Sequence, residues 1–284
     1  GFFYRYPGNG TIETVRNADG SFWNPLEFFP GGFTPNFGAE IDDLSALVGL
    51  RGGGDGSFLW DVSARFGSNE VDYQMFNTFN PSYGAASPTS FMPGSLKNEE
   101  LQFQVDLSNE FDMGMSSPLV FAYGLSYLDE SYDVAQSNDV ASYDAGPYSG
   151  EDPFGFCNGT TPSTVAGGGL FTEWNGIAAV AGNTIAGLDC TGATDDPAFT
   201  VVGVGSNGFP GYSPAFSDDF ERDSFAAYID LSADVTESLF LQAAVRFEDY
   251  SDFGNETVGK IAGRYLVTDS VAVRASIGTG FRAP

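Results

Sequence analysis

Five of the chain's eleven basic residues, Arg246, Lys260, Arg264, Arg274 and Arg282, crowd into its C-terminal stretch. Each lies in an alternating apolar/polar segment, so consecutive strands would bring them to one face. A strip of cations can guide an anionic ligand. It can also be a ladder in which Glu248 and neighbouring polar groups pair across strands, the more ordinary use of opposite charges on a sheet. The other residues capable of chemistry do not assemble. Cys157 and Cys190, in a chain with no histidine, make a poor metal site. Glu99 and Glu100 open a strand and have no partner base. The glycines of RGGGDG (51–56) fall in a turn and lack the helix that a phosphate loop needs. Without histidine the commonest general base is missing, and no nucleophile–base pair replaces it. The chain is therefore read as no enzyme, with no cofactor or metal expected. Its net charge of -27 argues against nucleic acid as a partner.

The elements that must position these residues are strands. In LQAAVRFEDYSDFG (241–254), Leu241, Ala243, Val245 and Phe247 alternate with Gln242, Ala244, Arg246 and Glu248. Period two marks extended backbone, because successive side chains point to opposite faces. Leu44, Ala46, Val48 and Leu50 repeat the pattern. So do Trp60, Val62, Ala64 and Phe66, then Leu101, Phe103, Val105 and Leu107. Leu119, Phe121, Tyr123, Leu125 and Tyr127 form another set, and Phe225, Ala227, Ile229, Leu231, Ala233 and Val235 a further one. With the opening stretch, KIAGRYLV and VAVRASIGTGFR, this predicts at least eight strands and no helix. No apolar run approaches the roughly 18 residues of a transmembrane helix, but a barrel strand needs only about 9–11 with every second one apolar.

Link lengths alternate as well. MGMSS, TES (236–238), TDS (268–270) and RGGGDG are short, whereas 69–96 and 135–220 are long, with 251–256 the one short member of the second set. In an antiparallel meander alternate links share an end, so tight turns gather at one end and long loops at the other. That is the layout of an outer-membrane barrel. A soluble β-sandwich also alternates. Expected strands of about 12–16 residues, against roughly 5–6 in globular sheets, favour the barrel. So do the charged mid-strand positions of the polar face. The start at GFFYRY and the end at GTGFRAP are read as an internal fragment.

Residues 222–284 closely resemble the barrel of TonB-dependent outer-membrane receptors. The resemblance rests on Glu248, Asp249, Tyr250, Asp252, Phe253 and Gly254 of EDYSDFG, on Gly259–Lys260, and on Gly280, Phe281, Arg282, Ala283 and Pro284 of GFRAP. WDVSARFGSNEVDY and NPSYGAASPTSF look like the middle of the same barrel. The resemblance implies an all-β, transmembrane antiparallel barrel with long extracellular loops and short periplasmic turns. Residues 1–284 would form a partial barrel of about nine or ten of 22 strands, without the plug domain. Lipid would meet the Leu241 face, the lumen would hold the Arg246 face, and DYSDFG would be the bend at which the chain re-enters the membrane. The implied partners are outer-membrane lipid, an N-terminal plug and, through it, TonB in the inner membrane. The implied cargo is a small molecule or oligosaccharide, such as a ferric siderophore or cobalamin.

Several smaller expectations follow from that placement. The basic strip would face the lumen, as a ladder or as a dock for acidic plug residues. Cys157 and Cys190 would close a disulfide in an oxidising exterior. The loop 135–220 carries ten Asp/Glu and no Lys or Arg, most simply to stay solvated. Its NGT (158–160), like NET (255–257), is not read as a glycosylation site. Phe22, Trp23, Phe28, Phe29, Phe33, Phe37, Tyr73, Phe76, Phe79 and Tyr83 would serve as interface girdle or loop packing, some stacking on a sugar ring or an aromatic siderophore. Two other functions fit parts of the pattern. A passive porin-like channel would lack an upstream plug. A soluble all-β carbohydrate-binding module would stay in solution without detergent.

Overall fold

The computed structural model describes residues 13–54, 58–157, 173–174, 177–178, 188 and 196–282. The strands are β1 (Val15–Arg16), β2 (Phe22–Trp23), β3 (Asn36–Gly53), β4 (Phe58–Phe76), β5 (Ser90–Phe111), β6 (Leu119–Ala135), β7 (Glu173–Trp174), β8 (Ile177–Ala178), β9 (Asp219–Thr236), β10 (Leu239–Tyr250), β11 (Gly254–Thr268) and β12 (Val271–Gly278). Eight of them form one sheet in the order β12-β11-β10-β9-β6-β5-β4-β3, with two separate hairpins, β1–β2 and β7–β8. Where the register is defined, β9 to β12 pair antiparallel.

The sheet holds eight strands among the described residues, against the nine or ten expected. The strand expected in the opening stretch falls on residues 1–12, outside the described residues, and among the described residues β1 pairs with β2. The link expected at 69–96 shrinks to 77–89, because β4 and β5 run on to Phe76 and from Ser90. Asn69, Val71, Tyr73 and Met75 there mix polar and apolar types on one face, which hides the strand period from a hydropathy reading. The short turns are closed by side chains. Thr236 Oγ1 accepts from the N–H groups of Ser238 and Leu239 at 3.3 and 3.1 Å, and Thr268 Oγ1 accepts from Ser270 N–H at 3.3 Å.

Packing divides the chain into two units. The sheet unit comprises Asp42–Asn69, Lys97–Tyr132 and Asp219–Pro284. In its strand β10 the apolar side chains are the open ones: Leu241, Val245 and Phe247 are 43%, 45% and 39% exposed. Gln242, Ala244, Arg246 and Glu248 on the opposite face are half-buried. Register extends the open face sideways, aligning Ile277, Ile261, Ala243 and Leu231 in one row.

The loop unit comprises Gly1–Ile41, Glu70–Leu96 and Asp133–Asp218. It buries Val15, Trp23, Phe33, Phe79, Tyr148, Phe154, Phe156, Ala198 and Val202 in one cluster. Short 3₁₀ helices shape it, three of them capped by the side chains of Asn24, Asn80 and Asp196. Asn80 caps Pro81–Ala86 by accepting from Ser82 N–H at 3.1 Å, and the proline just inside needs no partner for the hydrogen it lacks. Gly84 in that helix has φ 53, and an added Cβ would meet the Tyr148 ring at 2.5 Å. Only glycine suits the backbone and the space together.

Candidate functional site

The polar face of β9 to β12 gathers most of the candidate residues. Register puts Arg246, Lys260, Arg264 and Arg274 on one face, Arg264 directly opposite Arg274. Arg282 lies past the end of β12 and is exposed. Arg246 Nε donates to Glu248 Oε1 at 2.7 Å, two residues along its own strand. Arg264 reaches further: Phe240 is opposite it on β10 and Asp234 opposite Phe240 on β9. Its guanidinium passes over the Phe240 ring at 5.7 Å and donates to Asp234 Oδ1 at 3.2 Å. Gln242 donates to Asp230 at 2.7 Å. The charges therefore pair along and across the strands, while Lys260 and Arg274 line a shallow concavity of about 390 Å³ with Phe240 and Ser276.

A tyrosine notch on the same face had no signal in the hydropathy pattern. Tyr228 of β9 reaches across β6 at Gly124 and donates to Asp106 Oδ1 of β5 at 2.6 Å. A Cβ at Gly124 would meet the Tyr228 ring at 2.5 Å and the Val105 carbonyl at 2.6 Å. The ring occupies the space that the missing side chain leaves, so three strands are tied at one level.

The two sequence motifs meet at one end of the sheet. Ser251, Asp252 and Phe253 link β10 to β11, and Gly254 opens β11 at φ 101. Phe253 stacks on Tyr250 with centroids 4.4 Å apart, and Phe281 packs against Phe253 at 5.3 Å. Arg222 of β9 pairs with Asp252 at 2.7 Å and lies 5.7 Å from the Phe253 ring. Tyr250 donates to Glu248 at 2.9 Å, which joins this corner to the Arg246 pair. Asp249 is exposed on the opposite face, and Ala283 and Pro284 lie outside the described residues.

The loop unit has its own clasp. Arg16 donates from Nε to Asp196 Oδ1 at 2.9 Å and from a second nitrogen to Oδ2, and its guanidinium covers Phe22 at 4.3 Å. Asp196 also accepts from Ala198 N–H at 2.8 Å. The Arg16 hydrogen bond, and then that of Ala198, hold the Asp196 carboxyl below its ordinary range. Burial, aided by Asp144, pushes the Tyr83 hydroxyl up to about 12. Burial likewise raises Tyr148, which donates to Asn17 at 2.8 Å. Asn80 donates to the carbonyls of Ala141 and Asp144, both at 2.9 Å, which ties the backbone of part of the acidic segment to the loop unit. Cys157 is disulfide-bonded; Cys190 lies outside the described residues.

The early-loop aromatics divide. Trp23, Phe33 and Phe79 are core, with Phe28 and Phe29 packed against it. Phe37 and Tyr73 instead join Phe209 and Tyr212: Phe37 stacks on Tyr73 at 5.1 Å and packs on Phe209 at 4.8 Å. Phe209 and Tyr212 belong to a segment whose sequence gave no alternation to read. Among the described residues, no group of three or more Cys, Asp or Glu is placed to hold a metal ion.

A sheet whose apolar rows face outward while its polar rows pair with one another is the wall of a membrane β-barrel. The chain belongs to the TonB-dependent receptor-like β-barrel family, whose model matches residues 2–284. Two solved structures are similar. The siderophore receptor PirA from Acinetobacter baumannii shares 12% identity over 87% of this chain and 26% of its own, with a TM-score of 0.48. The ferric-catecholate import receptor Fiu from K12 E. coli shares 14% over 84% and 32%, with a TM-score of 0.46. The chain thus spans between a quarter and a third of their length. A comparison with curated proteins gave no match.

Proposed function

We propose that this chain forms wall and loops of an energy-coupled receptor in a Gram-negative outer membrane, taking up a scarce, bulky nutrient through a plugged barrel driven by TonB. The observation that carries the reading is the inversion of the sheet, with Leu241, Val245 and Phe247 exposed and Arg246 and Glu248 paired. Such a face is stable against lipid and costly against water. Membership of the TonB-dependent receptor-like β-barrel family supports an energy-coupled mechanism. Within the barrel the Arg246–Glu248 and Arg264–Asp234 pairs stiffen the wall, while Lys260 and Arg274 offer charge to acidic groups of a plug. Cys157 pairs with Cys190 to restrain the long acidic loop outside the membrane.

The test is uptake by cells that make the full-length receptor. Dissipating the proton-motive force or deleting TonB is expected to stop accumulation while surface binding persists. Uptake that continues unchanged would mark a passive channel and overturn the reading.

A further inference from the structure

We infer that the loop unit recognises a neutral oligosaccharide by ring stacking on Phe37, Tyr73, Phe209 and Tyr212, and turns away anionic metal complexes. The inference rests on the receptor reading and names its substrate class. The three segments of the unit contain sixteen Asp and Glu residues against two arginines, Arg5 and Arg16. Arg5 lies outside the described residues, and Arg16 is 7% exposed and held by Asp196. An approaching anion therefore meets a negative field with no open cation among the described residues of the unit. Salt shortens the reach of that field but does not reverse its sign.

The rings supply the attraction. Phe37 is 51% exposed. Phe209 packs on Tyr73 at 5.5 Å and on Tyr212 at 5.8 Å, so the four rings form one continuous patch. The patch is not interface girdle. Tyr73 shares its strand face with Met75, which is 1% exposed and lies under Ser206 and Gly208. The segment carrying Phe209 therefore covers that face, away from lipid. The patch is also held firmly, since Tyr212 N–H donates to the Pro93 carbonyl at 2.8 Å and its own carbonyl accepts from Ser137 N–H at 2.9 Å. Rigid, half-open rings in an anion-repelling surround fit the C–H face of an uncharged sugar ring, whose hydroxyls stay in water.

The experiment is calorimetric titration of the purified full-length receptor in detergent. The probes are cellohexaose, maltohexaose, xylohexaose and chitohexaose, with ferric citrate and a ferric tricatecholate as anionic counterparts. At least one sugar is expected to bind, with affinity independent of salt, and the ferric anions are not. Phe37→Ala and Phe209→Ala should each weaken the sugar by about tenfold or more, while Phe37→Trp retains it. Failure of every sugar, binding of a ferric anion, or sugar binding indifferent to both alanine variants overturns the inference. Binding needs no energy source, so this outcome is separable from the uptake test. A ferric anion taken up with TonB dependence would sink the sugar and leave the receptor standing.

Discussion

In β10 the Glu248 side chain is 20% exposed and paired with Arg246, whereas the apolar Leu241, Val245 and Phe247 stand 43%, 45% and 39% open, with no partner row over them among the described residues. In the loop unit the order is the ordinary one, with Trp23, Phe79 and Phe156 between 3% and 4% exposed. Both arrangements come from one chain of uniformly acidic composition, so the difference lies in the solvent each region faces. A sheet in lipid turns its apolar rows outward and gathers its polar groups on the other side, where most of the buried ones pair and Arg264 Nε does not. A unit in water must enclose its rings and tie its buried polar groups. Thr78, Asn80, Ser82 and Ser142 are all fully buried, and each has a hydrogen-bond partner.

The largest effect should come from placing the same charge in the two regions. Val245→Arg is expected to cost about 2–4 kcal/mol of folding free energy in vesicles, the range for a cation facing the bilayer midplane. Phe216→Arg, at a loop position 80% exposed, should stay within about 0.5 kcal/mol. Equal, small effects in a denaturant titration would remove the contrast.

Ion pairs should separate in the same sense. Arg16→Ala removes a buried, bidentate partner, at an expected cost of about 1.5–3 kcal/mol to the loop unit. Arg65→Ala breaks the Arg65–Glu100 pair, whose arginine side chain is 46% exposed, and should cost about 0.2–1 kcal/mol. Limited proteolysis near residues 13–23 and 196–202 reads the first, and equilibrium unfolding the second.

Gly124→Ala tests the notch at about 1–3 kcal/mol, because the Val105 carbonyl and the Tyr228 ring both lie inside contact distance. Gly67→Ala, in the same sheet but with nothing within 4 Å of its added Cβ, is the matched control and should be neutral or mildly stabilising. Indistinguishable thermal midpoints for the two variants would mean that Tyr228 is not seated there.

The smallest effect is acid release of the clasp. Arg16 holds Asp196 ionised, so the folded state binds its proton less readily than the unfolded chain. Stability from the pair is therefore full above the unfolded carboxylate value of about 4 and is lost as pH falls through the lower folded value. Hydrogen-exchange protection of Ala198 N–H should hold at neutral pH and drop only in strong acid. A drop near neutrality would contradict the assignment.

Much of the sheet was legible because lipid exposure leaves period two undisturbed: β10 reads correctly from Leu241 to Glu248. The loop unit was not, because its order comes from contacts distant in sequence. Arg16 and Asp196 are 180 residues apart, and Thr78 reaches the Asn207 carbonyl across 129. One signal was available, since Arg16 is the only basic residue between Arg5 and Arg51 in an acidic chain. The Tyr228 notch escaped because a lone glycine in a strand reads as weakness until its neighbour across the sheet is known. EDYSDFG and GFRAP were found as motifs, but their meeting through Tyr250, Phe253 and Phe281 needed the register.

The central claim is the direction of the sheet, and the most direct test is lipid accessibility along β10. Single cysteines at positions 241 to 248 of the full-length receptor, labelled with a fluorophore in vesicles of brominated lipid, should be quenched alternately. Positions 241, 243, 245 and 247 should be quenched by lipid, and positions 242, 244, 246 and 248 by an aqueous quencher. The opposite phase, or no alternation at all, would contradict the account.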